Sequence, residues 1–459
     1  MRRFLLRHAL LPDGWHDDVL VAVDAAGLIV SVTPAQSVVD ATLLNGPVLP
    51  GLANLHSHAF QRAMAGLAER SGPAADSFWT WRETMYRFAA KLTPADIEAI
   101  ASQLYAEMLE AGFTAVAEFH YVHHQADGTP YDDPAELSWR VLAAAEASGI
   151  GLTHLPVLYR HGGFGNREPQ TRQRRFLHDS DAYARLLQKL EPALRNRSDR
   201  RLGIAPHSLR AVSPEMLRAA LAALDDIDAA APVHIHIAEQ IAEVDESLAW
   251  SGRRPVDWLL DQGMVNERWC LVHATHLTPG ETLRLAQSGA VAGLCPTTEA
   301  NLGDGLFPAV DYMAAGGRIG IGSDSHISVD AAEDLRLLEY GQRLIRRSRN
   351  LLASGPERST GRRLFDACAA GGAQAVGQPM GAIAVGRRAD FLLLDAEAPT
   401  LAARNGDAVL DSWIFAGQRR AMLREVWVGG QRVVEQGRHI RAGEFAARYR
   451  QCLRRLIEE

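Results

Sequence analysis

The chain has 459 residues, enough for more than one domain or for a single α/β barrel with additions. Hydrophobic residues make up 47% and charged residues 22%, ordinary globular proportions that exclude a disordered or fibrous protein. The net charge of −7 argues against nucleic-acid binding, since no cationic excess exists to displace counterions from phosphates, so a small-molecule partner is expected.

Met1-Arg2-Arg3-Phe4-Leu5-Leu6 opens like a signal peptide, but Arg7-His8 interrupts the apolar run, and no segment supplies the roughly 20 apolar residues of a membrane span. Neither a membrane partner nor export is expected. Residues 3–11, 18–23 and 28–32 read as short strands separated by Pro12-Asp13-Gly14 and Ala26-Gly27. A further strand, residues 48–56, runs into Asn54-Leu55-His56-Ser57-His58. Residues two apart on a strand share a face, so His56 and His58 can offer two imidazoles to one metal ion. The pair alone is a weak signal, because in a chain with 17 histidines two neighbours are more often separate polar residues.

Strand-like runs continue at 113–119, 151–159, 201–206, 233–238, 269–273, 290–295 and 318–324. Between them, helical periodicity is clearest at 94–111, 137–148, 180–194, 214–224, 255–262 and 279–287, several opening with Ser-Pro or Thr-Pro. Eight strands alternating with helices predict a (β/α)8 TIM-type barrel, with its active site where the strands end. Residues 390–395 are strand-like, and 424–434 read as a hairpin around Gly429-Gly430. The expected organisation is a small discontinuous β-sandwich domain (1–47 and 382–445), the barrel (48–381) and a C-terminal helix (446–459).

The barrel-end rule gives the polar residues a direction. His56 and His58 end the first strand, Glu118, His120 and Tyr121 the second, and Tyr159 and His161 the third. His207 follows the fourth, His236 and Glu239 end the fifth, His273 the sixth and Asp324 the eighth. His8, His16, His178 and His439 read as ordinary surface histidines. His234 shares a strand face with His236, and the residue nearer the barrel end is the better ligand. Cys270, Cys295, Cys368 and Cys452 are widely spaced, which argues against a disulfide framework or thiolate zinc site and fits a cytoplasmic protein.

His56-x-His58, His236-Ile237-Ala238-Glu239, His273 and Ser323-Asp324-Ser325 together resemble the amidohydrolase superfamily, over nearly the whole chain. The resemblance implies one divalent metal per chain held by His56, His58, His236 and Asp324, since no barrel-end lysine follows strand four to bridge two metals. Zn²⁺ suits imidazole and carboxylate ligands. Such a site activates water for hydrolysis at an electron-poor carbon carrying nitrogen. Asp324 then accepts the water's proton, Glu239 shuttles a proton to the leaving nitrogen, and His273 orients or stabilises the tetrahedral intermediate. Each has a plainer reading: Glu239 as a solvated acid, His273 as a satisfied core histidine, Asp324 as a helix cap.

The loops are similar, within that superfamily, to enzymes that hydrolyse N-formimidoyl-L-glutamate to N-formyl-L-glutamate and ammonia in histidine degradation. The resembling segments run from His56 to Gly66, Ser77 to Glu83, Glu118 to His123 and Ala205 to Val212. This implies that Gln61, Arg82, Tyr121, His207 and Arg210 hold the glutamate part of a dicarboxylate, for which guanidinium is well shaped. Taken singly, Arg82 and Tyr121 read as surface residues. A homodimer is expected. The competing readings are a deaminase of an aromatic base or related heterocycle and a metal-free scaffold protein.

Overall fold

A computed structural model describes residues 1–35, 40–69, 78–353, 359–417 and 420–458; Ser77 and Glu459, which figure in the expectations above, lie outside them. Parallel strands Leu52–Ser57, Phe113–His120, Gly151–Leu158 and Arg200–Leu202, the last continued by Ala205–Pro206, form one run. Val233–Ile237, Trp269–His273, Val291–Leu294 and Arg318–Ile321 form a second. Two seams join the runs. Ile204 bridges Val233 and Ser208 bridges His236, while Ser57 bridges Asp324. At the latter seam the Asp324 N–H donates to His56 O at 3.0 Å and the His58 N–H to Asp324 O at 3.3 Å. The runs thus make a (β/α)8 barrel, whose strands are called one to eight in chain order.

Parallel strands covered by helices bury both faces, and every residue of strands two, three and six is buried. The helices begin where the chain supplies caps. Thr93 accepts from the Asp96 N–H while Asp96 takes the Thr93 N–H, and Thr278 with Glu281 repeats the arrangement. A proline opens each of these helices at a position whose amide would have no partner anyway.

The span 48–56 is two strands, not one. Thr42–Pro50 belongs to the terminal sheet and Leu52–Ser57 to the barrel. They break at Gly51, where a Cβ would lie 2.1 Å from Thr114 Oγ1. The span 201–206 is likewise interrupted, at Gly203. Helices Phe78–Lys91, Ile241–Ser251, Pro296–Leu302, Ala331–Arg346, Thr360–Val376 and Ala408–Phe415 add to those expected.

Both terminal segments share one sheet, in the order Arg438–His439, Gln431–Glu435, Leu423–Val428, Phe391–Leu394, Thr42–Pro50, Arg2–Leu11, Gly14–Val23, Ile29–Pro34. Thr42–Pro50 lies inside it, antiparallel to Phe391–Leu394 and parallel to Arg2–Leu11. Phe4, Leu6, Val21, Val48 and Phe391 form its own core. Helix Ala442–Glu458 then returns to the barrel and packs on Pro94–Glu110.

Candidate active site

Strand one ends in His56-Ser57-His58. The His58 Nδ1–H donates to Phe119 O at 3.0 Å, which turns Nε2 inward, 3.1 Å from His56 Nε2. At the end of strand five the His236 Nδ1–H donates to His207 O at 3.0 Å, and its Nε2 also stands 3.0 Å from His56 Nε2. Asp324 brings Oδ1 to 3.4 Å from His56 Nε2 and 3.3 Å from His58 Nε2. Burial foremost, and then the neighbouring imidazoles, hold His56 and His236 neutral far below the ordinary histidine range. Two fixed lone pairs, on His58 and His236 Nε2, and a carboxylate oxygen therefore converge on His56 Nε2, an arrangement that a cation relieves. Two overlapping sets fit a divalent metal, His56 with His58 and Asp324, and His56 with His236 and His273. His234, deeper on the same strand face, does not join them, its Nε2–H donating to Ala375 O at 2.8 Å.

The corners that carry these groups are strained. Ala238, His273, Ala274, Asp324 and His326 all have left-handed φ, between 47° and 67°; non-glycine residues hold that conformation only where the surroundings enforce it. Gly322 permits strand one to come close, since a Cβ there would sit 2.8 Å from His56 N. Behind the histidine pair, the Glu118 carboxylate accepts from Ser57 Oγ at 2.5 Å, the Ala59 N–H at 2.7 Å and Tyr105 OH at 3.1 Å. Burial pushes Glu118 up to about 7 against those bonds. His326 lies between Ser57 Oγ at 3.2 Å and Ser323 Oγ at 2.9 Å, which joins strand one to the Asp324 turn.

His273 ends strand six with Nδ1 3.3 Å from Glu299 Oε1 and Nε2 3.8 Å from Asp324 Oδ2 and 3.9 Å from Glu239 Oε1. Burial pulls its pKa down, but Glu239, Glu299 and Asp324 outweigh burial and carry it to about 10. Burial raises the Glu239 carboxyl to about 7, although His273 and Arg210 oppose the rise. Glu243 accepts from the Ala238 and Glu239 amides at 3.2 Å each and so fixes that corner.

One pocket holds His58, His236, Asp324, Glu239 and His273 together with Gln61, Arg82, Tyr121, His207 and Arg210. His56 lies beneath it, fully buried. Tyr121 is buried rather than on the surface, and its OH accepts from Gln61 Nε2 at 2.7 Å. Arg82 sits 5.8 Å over the Tyr86 ring. Arg210 is partly buried with Nε shut off from solvent, and among the described residues it has no hydrogen-bond or ion-pair partner. Burial depresses its pKa, but Glu243, Glu239 and Tyr159 more than compensate and keep the cation.

His178 and His439 are buried, not surface, residues. His120 and His154, on strands two and three, cluster with His123, His124 and His178, with ring centroids of His123 and His178 4.5 Å apart. Burial lowers His120 and His178 to about 3. A depressed imidazole contributes stability above the unfolded pKa near 6.5, and that stability is lost as pH falls toward the folded value. At about pH 5 each should cost on the order of 2 kcal/mol. Because Glu118 and Glu239, raised to about 7, act in the opposite sense, the test is differential: in urea unfolding His178→Phe is expected to remove roughly 2 kcal/mol of the stability lost between about pH 7.5 and pH 5, and an unchanged pH dependence in that variant would contradict the buried neutral imidazole.

A model of the amidohydrolase family matches residues 48–433. The chain belongs to the amidohydrolase family. This amidohydrolase is 56% identical over 459 residues, all of both chains, to formimidoylglutamate deiminase of Pseudomonas aeruginosa. It is 30% identical to 8-oxoguanine deaminase of the same species, over 75% of this chain and 74% of that one. A solved amidohydrolase structure from Brucella melitensis superposes with a TM-score of 0.94 at 50% identity, covering 100% of each chain. Sequence reasoning named Glu239, His273, Asp324 and Arg210 of this pocket but passed over its Tyr86, Arg167 and Glu246, and over Thr298 and Glu299 behind it. Glu299 carried a signal, an acid one turn past the seventh strand in Cys295-Pro296-Thr297-Thr298-Glu299.

Proposed function

We propose that this amidohydrolase uses one divalent metal to hydrolyse N-formimidoyl-L-glutamate to N-formyl-L-glutamate and ammonia, a step of histidine degradation. The observation that carries the substrate is Arg210, a partnerless guanidinium at a pocket that also contains Arg82; a second support is the deiminase relative at 56% identity. A partly desolvated cation with no protein partner is suited to a carboxylate brought by the ligand.

His56, His58, His236 and Asp324 would hold the metal. When bound it supplies hydroxide at neutral pH by lowering the pKa of its water toward about 7, and Zn²⁺ suits these ligands. Asp324 takes the proton released as the nucleophile adds. Glu239, raised to about 7, hydrogen-bonds the amidinium and passes a proton to the departing nitrogen. The His273 cation is placed to hydrogen-bond the oxygen added at the attacked carbon, where negative charge develops as its proton leaves. Arg210, Arg82, His207, Tyr121 and Gln61 hold the glutamate part. Turning the Gln61 amide over would let Tyr121 OH donate to its now partnerless Oε1 and direct Nε2 to a carboxylate.

Ammonia release from a panel of N-formimidoyl-L-glutamate, 8-oxoguanine, guanine and cytosine tests the reading; preference for a purine or pyrimidine would overturn it. Arg210→Met is expected to lower kcat/KM for N-formimidoyl-L-glutamate about 30- to 1,000-fold, the loss of roughly 2–4 kcal/mol from a desolvated charged contact. An analogue with the contacted acid replaced by an amide should lose much less, and metal content should stay unchanged. Equal losses on both compounds would take Arg210 out of the substrate pocket. The reading extends to zinc as the native metal, a cytoplasmic location and a homodimer, checked by elemental analysis, cell fractionation and light scattering. The described cysteines are free and buried, and no described helix is long and apolar enough to cross a membrane.

A further inference from the structure

Helix Pro296–Leu302, which follows strand seven, presents three successive residues to three different elements. The Thr297 N–H donates to Asp334 Oδ1 at 3.1 Å on helix Ala331–Arg346. Thr298 Oγ1 donates to Ser323 O at 3.1 Å and accepts from the Ser325 N–H at 3.2 Å, so one hydroxyl spans the backbone on both sides of Asp324. Glu299 Oε1 accepts from the Cys295 N–H at 2.9 Å and lies 3.3 Å from His273 Nδ1. Thr298 and Glu299 are both buried. The groups they reach, Asp324 and His273, face one another at 3.8 Å and both sit in left-handed backbone that needs outside support.

We infer that Thr298 and Glu299 are positioning residues that set His273 against Asp324 from one helical turn. Glu299 accepts the Nδ1 proton of His273 and so fixes which ring edge, Nε2, looks into the pocket. Thr298 fixes the Asp324 turn. Because the two are adjacent on one helical turn whose preceding amide, that of Thr297, is anchored to Asp334, a shift of one partner is passed to the other. The consequence rests on the reading above, in which Asp324 and His273 work on one substrate.

The test compares Glu299→Gln, Glu299→Asp, Thr298→Val and Thr298→Ser in the full chain. Glu299→Gln should lower kcat about 10- to 100-fold, the scale of misoriented supporting groups, with KM and metal content near wild type; the amide lacks the carboxylate charge and can turn its N–H toward Nδ1, so it no longer holds the ring edge in place. Thr298→Val should lower kcat comparably and also weaken metal retention against a chelator, whereas Thr298→Ser, which keeps the hydroxyl, should restore both. The double variant Thr298→Val, Glu299→Gln should lose less than the product of the single losses, since both act on one pair. Nitrogen-15 histidine spectra should show the His273 Nδ1–H signal shifted in Glu299→Gln and unmoved in Thr298→Ser. Wild-type kcat in Glu299→Gln, loss of metal in that variant, or fully multiplicative losses would each overturn the inference. If wild-type protein does not turn over N-formimidoyl-L-glutamate, the functional reading falls, while chelator competition and the histidine spectra still decide the positioning.

Discussion

His56→Ala or Asp324→Ala is expected to abolish metal retention together with at least about 10³-fold of ammonia release, since several kcal/mol of catalysis depend on the ion. His56 Nε2 stands within 3.1 Å of two other imidazole nitrogens and 3.4 Å from Asp324 Oδ1, so removing it opens the centre of the donor set. His236 and His234 supply the internal control. They lie on one strand face, yet only His236 joins the cluster, while His234 bonds to Ala375 O. His236→Ala should strip the metal, and His234→Ala should keep it. Elemental analysis after gel filtration reads both. The mononuclear assignment would be sunk by two metals per chain at full activity, and the mechanism by full activity in metal-free protein.

The next largest effect is expected from Glu239→Gln. The amide keeps shape and hydrogen bonding but cannot carry a proton between water and the leaving nitrogen, so kcat should fall about 10²-fold or more while metal content stays near normal. Glu239 is well placed for that split. It lines the pocket, stands 3.9 Å from His273 Nε2, and is held by Glu243 through its backbone rather than its carboxylate. Steady-state kinetics on both proteins decide it, and a variant kcat within a few-fold of wild type would remove Glu239 from proton transfer.

Much of the barrel was legible because parallel strands buried on both faces read as short apolar runs between capped helices, as in Trp269–His273 and Pro279–Gln287. The candidate site was legible for a related reason. A polar side chain that ends such a run, like His236 or Asp324, stands out against its apolar neighbours, and the barrel gives all of them one direction. Gly51 escaped notice, because the close approach of Thr114 that breaks the strand is a tertiary fact absent from local sequence. His178 escaped for a similar reason. Its environment is made by His123 and His124, distant in sequence, and a histidine alone does not announce burial. Glu299 acts through His273, and nothing within its own segment names that partner.

The terminal sheet also orders events during synthesis. Thr42–Pro50 needs Phe391–Leu394 as its neighbour, and Arg2 Nη1 donates to Gly430 O across 428 residues of chain. At ~5–20 residues per second on the ribosome, the early strands wait tens of seconds for their partners, with one edge of Thr42–Pro50 open to other chains. Pairing across such a separation is slow once it begins, because the intervening loop must close first. Strand one shares its polypeptide with that waiting edge through Gly51. The nascent protein is therefore most vulnerable to aggregation just before residues 391–439 emerge, and chaperone binding to stalled chains should peak in that interval and fall once they are released.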